Sequence, residues 1–320
     1  MEDLLPIAAR VFGVFLVMIA GGVCRRVHWL TAESDRSLAN LTANLLLPAL
    51  FFDRMTSGDS LQSLADTWFP PLLGFLFTAL GFGCAALFAH LLGERIGLDT
   101  LGKRRAFVLC VGICNYGYIP LPLAQQFYPE AEITLIIHNV GVDIALWSLG
   151  ILVVAGRVGT QWRRIFASPP LLAVAVGLAL KHSGGIDYLP LPVLQMTTAL
   201  GQCAVPMGLL LGGAIIVDYL PQLKWNSGKA VLASASLIRL LIVPGMMLMF
   251  AGFALIQQPR LQEVLLLQAA MPAATFPIVL VRLYGQDVGT AVQVVLGTSL
   301  IAIVTIPLWL LAGGWWLGVG

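Results

Sequence analysis

Apolar residues run along the chain in long blocks, and polar residues collect in the breaks between them. A block of about 20 apolar residues is the length of helix needed to cross a ~30 Å hydrocarbon layer. Read in this way, the chain predicts ten helical segments, at about 4–24, 37–52, 69–92, 104–127, 133–155, 167–182, 190–217, 228–256, 261–284 and 288–316. The fourth contains CNYGYIPLPL, Cys114 to Leu123, which puts Asn115, Gly117, Pro120 and Pro122 where an unbroken helix is expected. Proline has no backbone donor and clashes with the preceding turn, so the helix should break here. Broken backbone is tolerated at bilayer depth only if it is buried in protein or lines a wet cavity. The stretch therefore needs a partner, a ligand or both.

Composition agrees with an all-α polytopic membrane protein. Of 320 residues, 58% are hydrophobic and 11% charged, against roughly 25% charged in a soluble domain, and mean hydropathy is +0.89. The lipid bilayer is the expected surrounding; a net charge of +2 with no Lys/Arg-rich run offers nothing to nucleic acid. Five cysteines (Cys24, Cys84, Cys110, Cys114, Cys203) lie in or beside apolar segments without a CxxC pair. They read as packing residues rather than metal ligands. Glu2 and Asp3 precede the first segment and Arg25-Arg26 follow it, the reverse of a secretory leader. Connections after the odd-numbered segments hold thirteen Lys and Arg residues; those on the other side hold three, Arg54, Lys181 and Arg260. The positive-inside rule puts the thirteen in the cytoplasm and both termini outside, in the periplasm of an inner membrane.

The chain also resembles itself. Segment two places Asn44 four residues before Pro48, and segment seven places Gln202 four residues before Pro206. Segment four has Pro120 and Pro122, segment nine Pro272 and Pro277, and the spacings Pro48–Pro122 and Pro206–Pro277 are 74 and 71 residues. Two five-helix halves follow, 1–155 and 165–320, joined by a cytoplasmic linker at 156–164. Five is odd, so the second half enters the membrane from the opposite side. Such 5+5 inverted repeats build secondary transporters, whose site forms where matched helix interruptions meet near the midplane.

NLLLPALFF, CNYGYIPLPL, VPMGLLLGGAI, AAMPAATFPIVL and GTSLIAIVTIPL, in segments two, four, seven, nine and ten, resemble the auxin efflux carrier family over nearly the whole chain. That family holds plant PIN carriers and bacterial permeases described as malate or malonate transporters. The resemblance implies a PIN-like (sodium/bile-acid-symporter-like) fold. Helices one, two, six and seven would form a scaffold, and three to five and eight to ten a transport domain. Proline-broken helices four and nine would cross at the substrate site, and the usual substrates are organic anions. Cys114 and Pro120 replace glycines of the usual fourth-helix motif, and the short linker favours a prokaryotic-type permease over an auxin carrier.

Asn115 leads the candidate residues, because its amide can donate to a carboxylate and the matching asparagine of the family contacts substrate. Its other use is to cap the freed backbone of its own helix. Gly117 shares the break, and Tyr118 either lines the cavity or packs with its hydroxyl bonded locally. Pro120, Pro122, Pro272 and Pro277 expose half-helix ends, whose positive termini attract anions at a few tenths to ~2 kcal/mol each. Thr275 adds a hydroxyl, and Gln268, one turn before Pro272, reaches the cavity or sits in a helix interface. Asn44 and Gln202 either offer amides to the ligand or bond backbone loosened by Pro48 and Pro206. Asp143 and Arg239 fall near mid-bilayer, where burying either alone costs at least ~2.5–3.5 kcal/mol. Asp143 is a candidate coupling site for H+ or Na+, and Arg239 pairs with it or compensates the substrate's charge; a fixed structural pair is the alternative. His138 and Arg10 read as boundary residues. Trp29, Trp68, Trp162, Trp315 and Trp316 read as belt residues. Gly208 to Gly213 (GLLLGG) suits a scaffold core or a homodimer contact through the scaffold helices.

These features point to an alternating-access carrier for a small organic anion. No GxxxxGK[ST] motif is present to couple ATP, and no metal or organic cofactor is implied. GxSxG and HExxH are also missing and Asp143 has no membrane partner aspartate, so an intramembrane protease, and an enzyme of any kind, is not expected. A channel, or a receptor on the same fold, is the competing reading.

Overall fold

The computed structural model describes residues 4–57, 65–156, 168–222, 228–253 and 258–319, and among these it is helical almost throughout. Trp162, Arg157, Arg163, Arg164, Lys224 and the expected linker beyond Gly156 lie outside the described residues. Helices α1 (Leu4–Arg26), α2 (35–57) and α3 (Ala65–Leu92) come first. The fourth expected segment is two helices, α4 (Leu101–Gly112) and α5 (Pro120–Phe127). Next are α6 (Pro129–Ala155), α7 (Pro169–Ser183), α8 (Leu191–Tyr219) and α9 (Lys229–Phe253). The ninth segment is again two helices, α10 (Pro259–Ala270) and α11 (Phe276–Leu283), and α12 (Val288–Leu317) closes the chain. Six of these, α1, α3, α6, α8, α9 and α12, are long and apolar enough to cross a membrane whole. The chain is a multi-pass membrane protein.

Helix ends follow local chemistry. Thr100 caps α4 by accepting from the Lys103 amide, and Asp287 caps α12 by accepting from the Thr290 amide. Gly156, Gly184 and Gly318 end α6, α7 and α12 in the left-handed conformation. α2 runs past the expected end at 52, because Asp53 is only 9% exposed and accepts a hydrogen bond from Thr198. A polar residue satisfied in this way need not end a helix.

Three helices contain a π-turn: Thr42–Leu46 in α2, Leu146–Gly150 in α6 and Ile238–Ile242 in α9. Two of the turns lie just ahead of prolines, Pro48 and Pro244. Proline crowds the carbonyl four residues back and cannot bond it, and widening the helix relieves the clash. The carbonyl that Pro244 leaves unpaired, that of Leu240, accepts instead from the Trp309 indole at 2.8 Å.

The chain divides into two compact units. One comprises Phe15–Phe69 and Thr160–Val217, and so holds most of α1 with α2, α7 and α8. Its helices touch at small residues: a β-carbon on Gly213 would lie 1.7 Å from the Met18 carbonyl oxygen, and one on Gly177 2.5 Å from the Met55 β-carbon. Gly213 of the GLLLGG stretch thus serves the inside of this unit. The other unit comprises Met1–Val14, Pro70–Gly159 and Asp218–Gly320. Here α3 lies so close to α6 that a β-carbon on Gly141 would sit 1.7 Å from the Pro71 carbonyl oxygen. His138, expected at a boundary, is 2% exposed in this contact. Arg10 does not simply snorkel: it donates to the Gln126 carbonyl at 2.8 Å and stacks 5.1 Å from the Phe127 ring centre, capping α5. Trp29, Trp68, Trp315 and Trp316 are all exposed, as belt residues are.

Candidate functional site

The two helix interruptions meet inside the second-described unit. Residues 113–119 separate α4 from α5, residues 271–275 separate α10 from α11, and Ile113 and Met271 are both extended. The strands so formed pair antiparallel at Cys114 and Ala273. The Asn115 amide donates to the Pro272 carbonyl at 2.8 Å, and the Ala274 amide to the Ile113 carbonyl at 3.1 Å. Four of the backbone groups that the breaks free are thereby used by each other.

Side chains pair others. Asn139 Nδ2 and Gln268 Nε2 both donate to the Tyr116 carbonyl, at 2.7 and 3.2 Å, and Gln268 also donates to Asn139 Oδ1 at 2.9 Å. Arg239 donates from Nε to the Met271 carbonyl at 3.1 Å and from Nη2 to the Gln268 carbonyl at 3.4 Å. Thr298 Oγ1 accepts from the Ala273 amide at 3.3 Å, and Cys114 Sγ donates to Gln268 Oε1 at 3.2 Å. The amides of Asn115, Ala273 and Ala274 are thus paired within the crossing, while those of Gly117, Tyr118 and Thr275 have no hydrogen-bond partner among the described residues. Pro120, Pro122 and Pro277 also remove donors from the first turns of α5 and α11.

Asn115 is unpaired at its side chain. It is 7% exposed, and among the described residues its carboxamide has no hydrogen-bond partner. Beside it the break is open: Tyr116, Gly117 and Tyr118 are half-buried, and a β-carbon on Gly117 would meet nothing within 4 Å. The Tyr118 hydroxyl makes no hydrogen bond among the described residues, and neither does that of Thr275, which is also half-buried.

Asp143 and Arg239 form no ion pair with each other. Arg239, 2% exposed, holds the carbonyl end of α10, while Asp143 Oδ1 accepts from the Tyr116 hydroxyl at 2.6 Å. Asn44 and Gln202 lie in the other unit and both are exposed. Asn44 donates to the Asn40 carbonyl at 2.9 Å, a local helix bond. Tyr116, Asn139 and Thr298 were not among the expected residues. Their partners at the crossing lie 23 or more positions away in sequence, and no local pattern marks them. No cluster of three His, Cys, Asp or Glu able to hold a metal occurs among the described residues.

Comparison with known proteins now bears on this geometry. A family profile described as membrane transport protein matches residues 6–161 and 155–310. An uncharacterized transporter of Methanothermobacter thermautotrophicus is 28% identical over 305 residues, covering 92% of this chain and 94% of that protein. Another, from Methanocaldococcus jannaschii, is 23% identical over 309 residues, covering 94% of this chain and 96% of that protein. Both halves of the sequence fall under the family profile, and the chain belongs to the membrane transport proteins of the auxin efflux carrier family.

Proposed function

We infer that this transporter is a secondary carrier for a small organic anion bearing a carboxylate, held at the crossing of α4–α5 with α10–α11. The observation that carries the reading is the unpartnered carboxamide of Asn115, a residue only 7% exposed, beside the open side of Gly117. A hydrogen bond from it to a carboxylate oxygen is charge-assisted and contributes about 1.5–3 kcal/mol. Arg239 supports the sign of the ligand: it is a buried cation with no carboxylate within 4.0 Å among the described residues. Tyr118 and Thr275 add hydroxyls, and Gln268, Pro120, Pro122, Pro272 and Pro277 shape the crossing.

The reading takes the chain as ten spans in two inverted halves in the inner membrane, with both termini outside. The unit containing α2, α7 and α8 acts as scaffold, and the unit containing the crossing moves against it in alternating access. A thermal-shift screen of small mono- and dicarboxylates on the purified protein tests the site. At least one is expected to raise the unfolding midpoint, and Asn115→Ala to weaken its binding about 10–100-fold, the loss of one hydrogen bond to a charged group. If no carboxylate stabilises the wild type, or the substitution leaves binding unchanged, the assignment fails.

A further inference from the structure

Asp143 is an ionisable group that the crossing itself does not use. It lies in α6, half-buried, and its one hydrogen bond among the described residues is from the Tyr116 hydroxyl to Oδ1. Among the described residues Oδ2 has no partner, and no Lys, Arg or His approaches within the 4.0 Å of an ion pair. A lone carboxylate in a spanning helix is unstable as an anion and gains by binding a cation. Its neighbours offer no other charge of use. α5 carries no ionisable side chain, and α3 none from Pro70 to Gly83. α4 brings Cys110 and, at its start, Lys103, Arg104 and Arg105; α10 brings Arg260 and Glu263 in its first turns. His138 lies five residues earlier on α6, and Tyr118 two residues beyond Tyr116.

Tyr116 ties this carboxyl to the crossing. α6 grips it twice, one turn apart: Asp143 takes its hydroxyl and Asn139 holds its carbonyl at 2.7 Å. The same carbonyl accepts from Gln268 of α10, and the preceding residue, Asn115, is bonded through its amide to Pro272. A proton on Oδ2 leaves Oδ1 an acceptor for the Tyr116 hydroxyl but removes the negative charge that strengthens that hydrogen bond. The weakened hold acts on the residue next to Asn115 in the chain.

We propose that Asp143 binds a proton that travels with the substrate, with Tyr116 as the positioning residue linking the two. The O–H bond forms at Oδ2 with a proton from water on one side and breaks to water on the other. This rests on the anion reading above. It gives that reading a charge balance for a singly charged anion such as hydrogen malonate: Arg239 and ionised Asp143 are neutral together in the empty carrier, and a monoanion plus a proton keep the sum neutral in the loaded one.

Two readouts on the detergent-purified full chain test it, with malonate as the probe. Infrared spectra across pH 5 to 9 are expected to show a protonated-carboxyl C=O band that is lost in Asp143→Asn and whose midpoint moves in Tyr116→Phe. Malonate should raise that midpoint, and by reciprocity its own stabilisation of the fold should grow about tenfold in affinity as Asp143 is protonated. Asp143→Asn controls for titration of malonate itself and should bind it without this extra pH dependence. Lack of the band in wild type overturns the proton site even where malonate binds. Equal pH dependence of malonate binding in wild type and Asp143→Asn overturns the coupling and leaves the anion reading standing. A band that titrates while no carboxylate stabilises the protein overturns the anion reading, and cotransport with it. A requirement for sodium over potassium overturns the choice of proton.

Discussion

The crossing is open beside a single glycine. At Gly117 an added β-carbon meets no atom within 4 Å, and the backbone there is not in the left-handed region. Gly117→Ala is therefore expected to leave both stability and uptake near wild type. Gly117→Leu should project into the open space and abolish uptake, with a stability within about 0.5 kcal/mol of wild type, as for substitutions that disturb no packing. Vesicle uptake beside thermal unfolding separates the two effects; normal uptake by the leucine variant would mean that substrate does not pass Gly117. Arg239→Gln keeps a donor for the Met271 carbonyl but removes the buried charge. It should lose carboxylate-induced stabilisation while remaining folded, and unchanged stabilisation would remove the charge-compensation role. Asn115 and the prolines could be picked out from sequence because a polar amide beside helix breakers is anomalous in an apolar run. Tyr116 could not be told from Tyr118 in that way. Which hydroxyl meets Asp143 depends on the turn the chain takes after Cys114, and that turn is set by a pairing partner 159 residues away at Ala273.

Among elements, proline placement explains most of the departures from straight helices. Prolines predict that the fourth and ninth segments break, and the breaks occur at 113–119 and 271–275. Local chemistry does not say where the freed groups go, since Arg239, Thr298 and Asn139 reach them from three other helices. The π-turn in α6 has no proline behind it, and no local signal in the sequence accounts for it. Trp309 illustrates how a distant helix makes a proline tolerable: its indole fills the place of the amide that Pro244 lacks. Trp309→Phe keeps the aromatic bulk and strands the Leu240 carbonyl, so it should cost about 1–3 kcal/mol in thermal unfolding. Close helix approach gives a matching test. Gly141→Ala would push a methyl onto the Pro71 carbonyl oxygen, 1.7 Å away, forcing α3 from α6. A loss of about 1–3 kcal/mol is expected, the usual cost of overpacking, whereas equal stability would mean that the two helices are not locked together.

For the whole molecule, the antiparallel pairing of Cys114 with Ala273 makes a demand on topology. Two stretches that run in opposite directions at their crossing belong most simply to helices that traverse the bilayer in opposite directions, and this is what inverted halves provide. The charge count gives the proposed orientation, with thirteen Lys and Arg residues on the connections assigned inside and three on those assigned outside. Together they make a prediction at four positions. Asp99 precedes α4 and Arg282 lies in the last turn of α11, so both should face the cytoplasm. Glu130 follows α5 and Arg260 opens α10, and their salt bridge at 3.0 Å already puts them at one end of the unit, which should face out. Single cysteines at these positions, in a chain with Cys24, Cys84 and Cys203 replaced, can be probed with an impermeant maleimide on intact and permeabilised cells. Labelling of 130 and 260 from outside, and of 99 and 282 only after permeabilisation, is expected. The reverse pattern would invert the orientation and leave the repeat intact. Labelling of 99 and 130 from the same side would mean that α4 and α5 enter and leave by one face. Their meeting with α10 and α11 would then be a re-entrant contact, and the carrier could not present its crossing to both sides in the manner proposed.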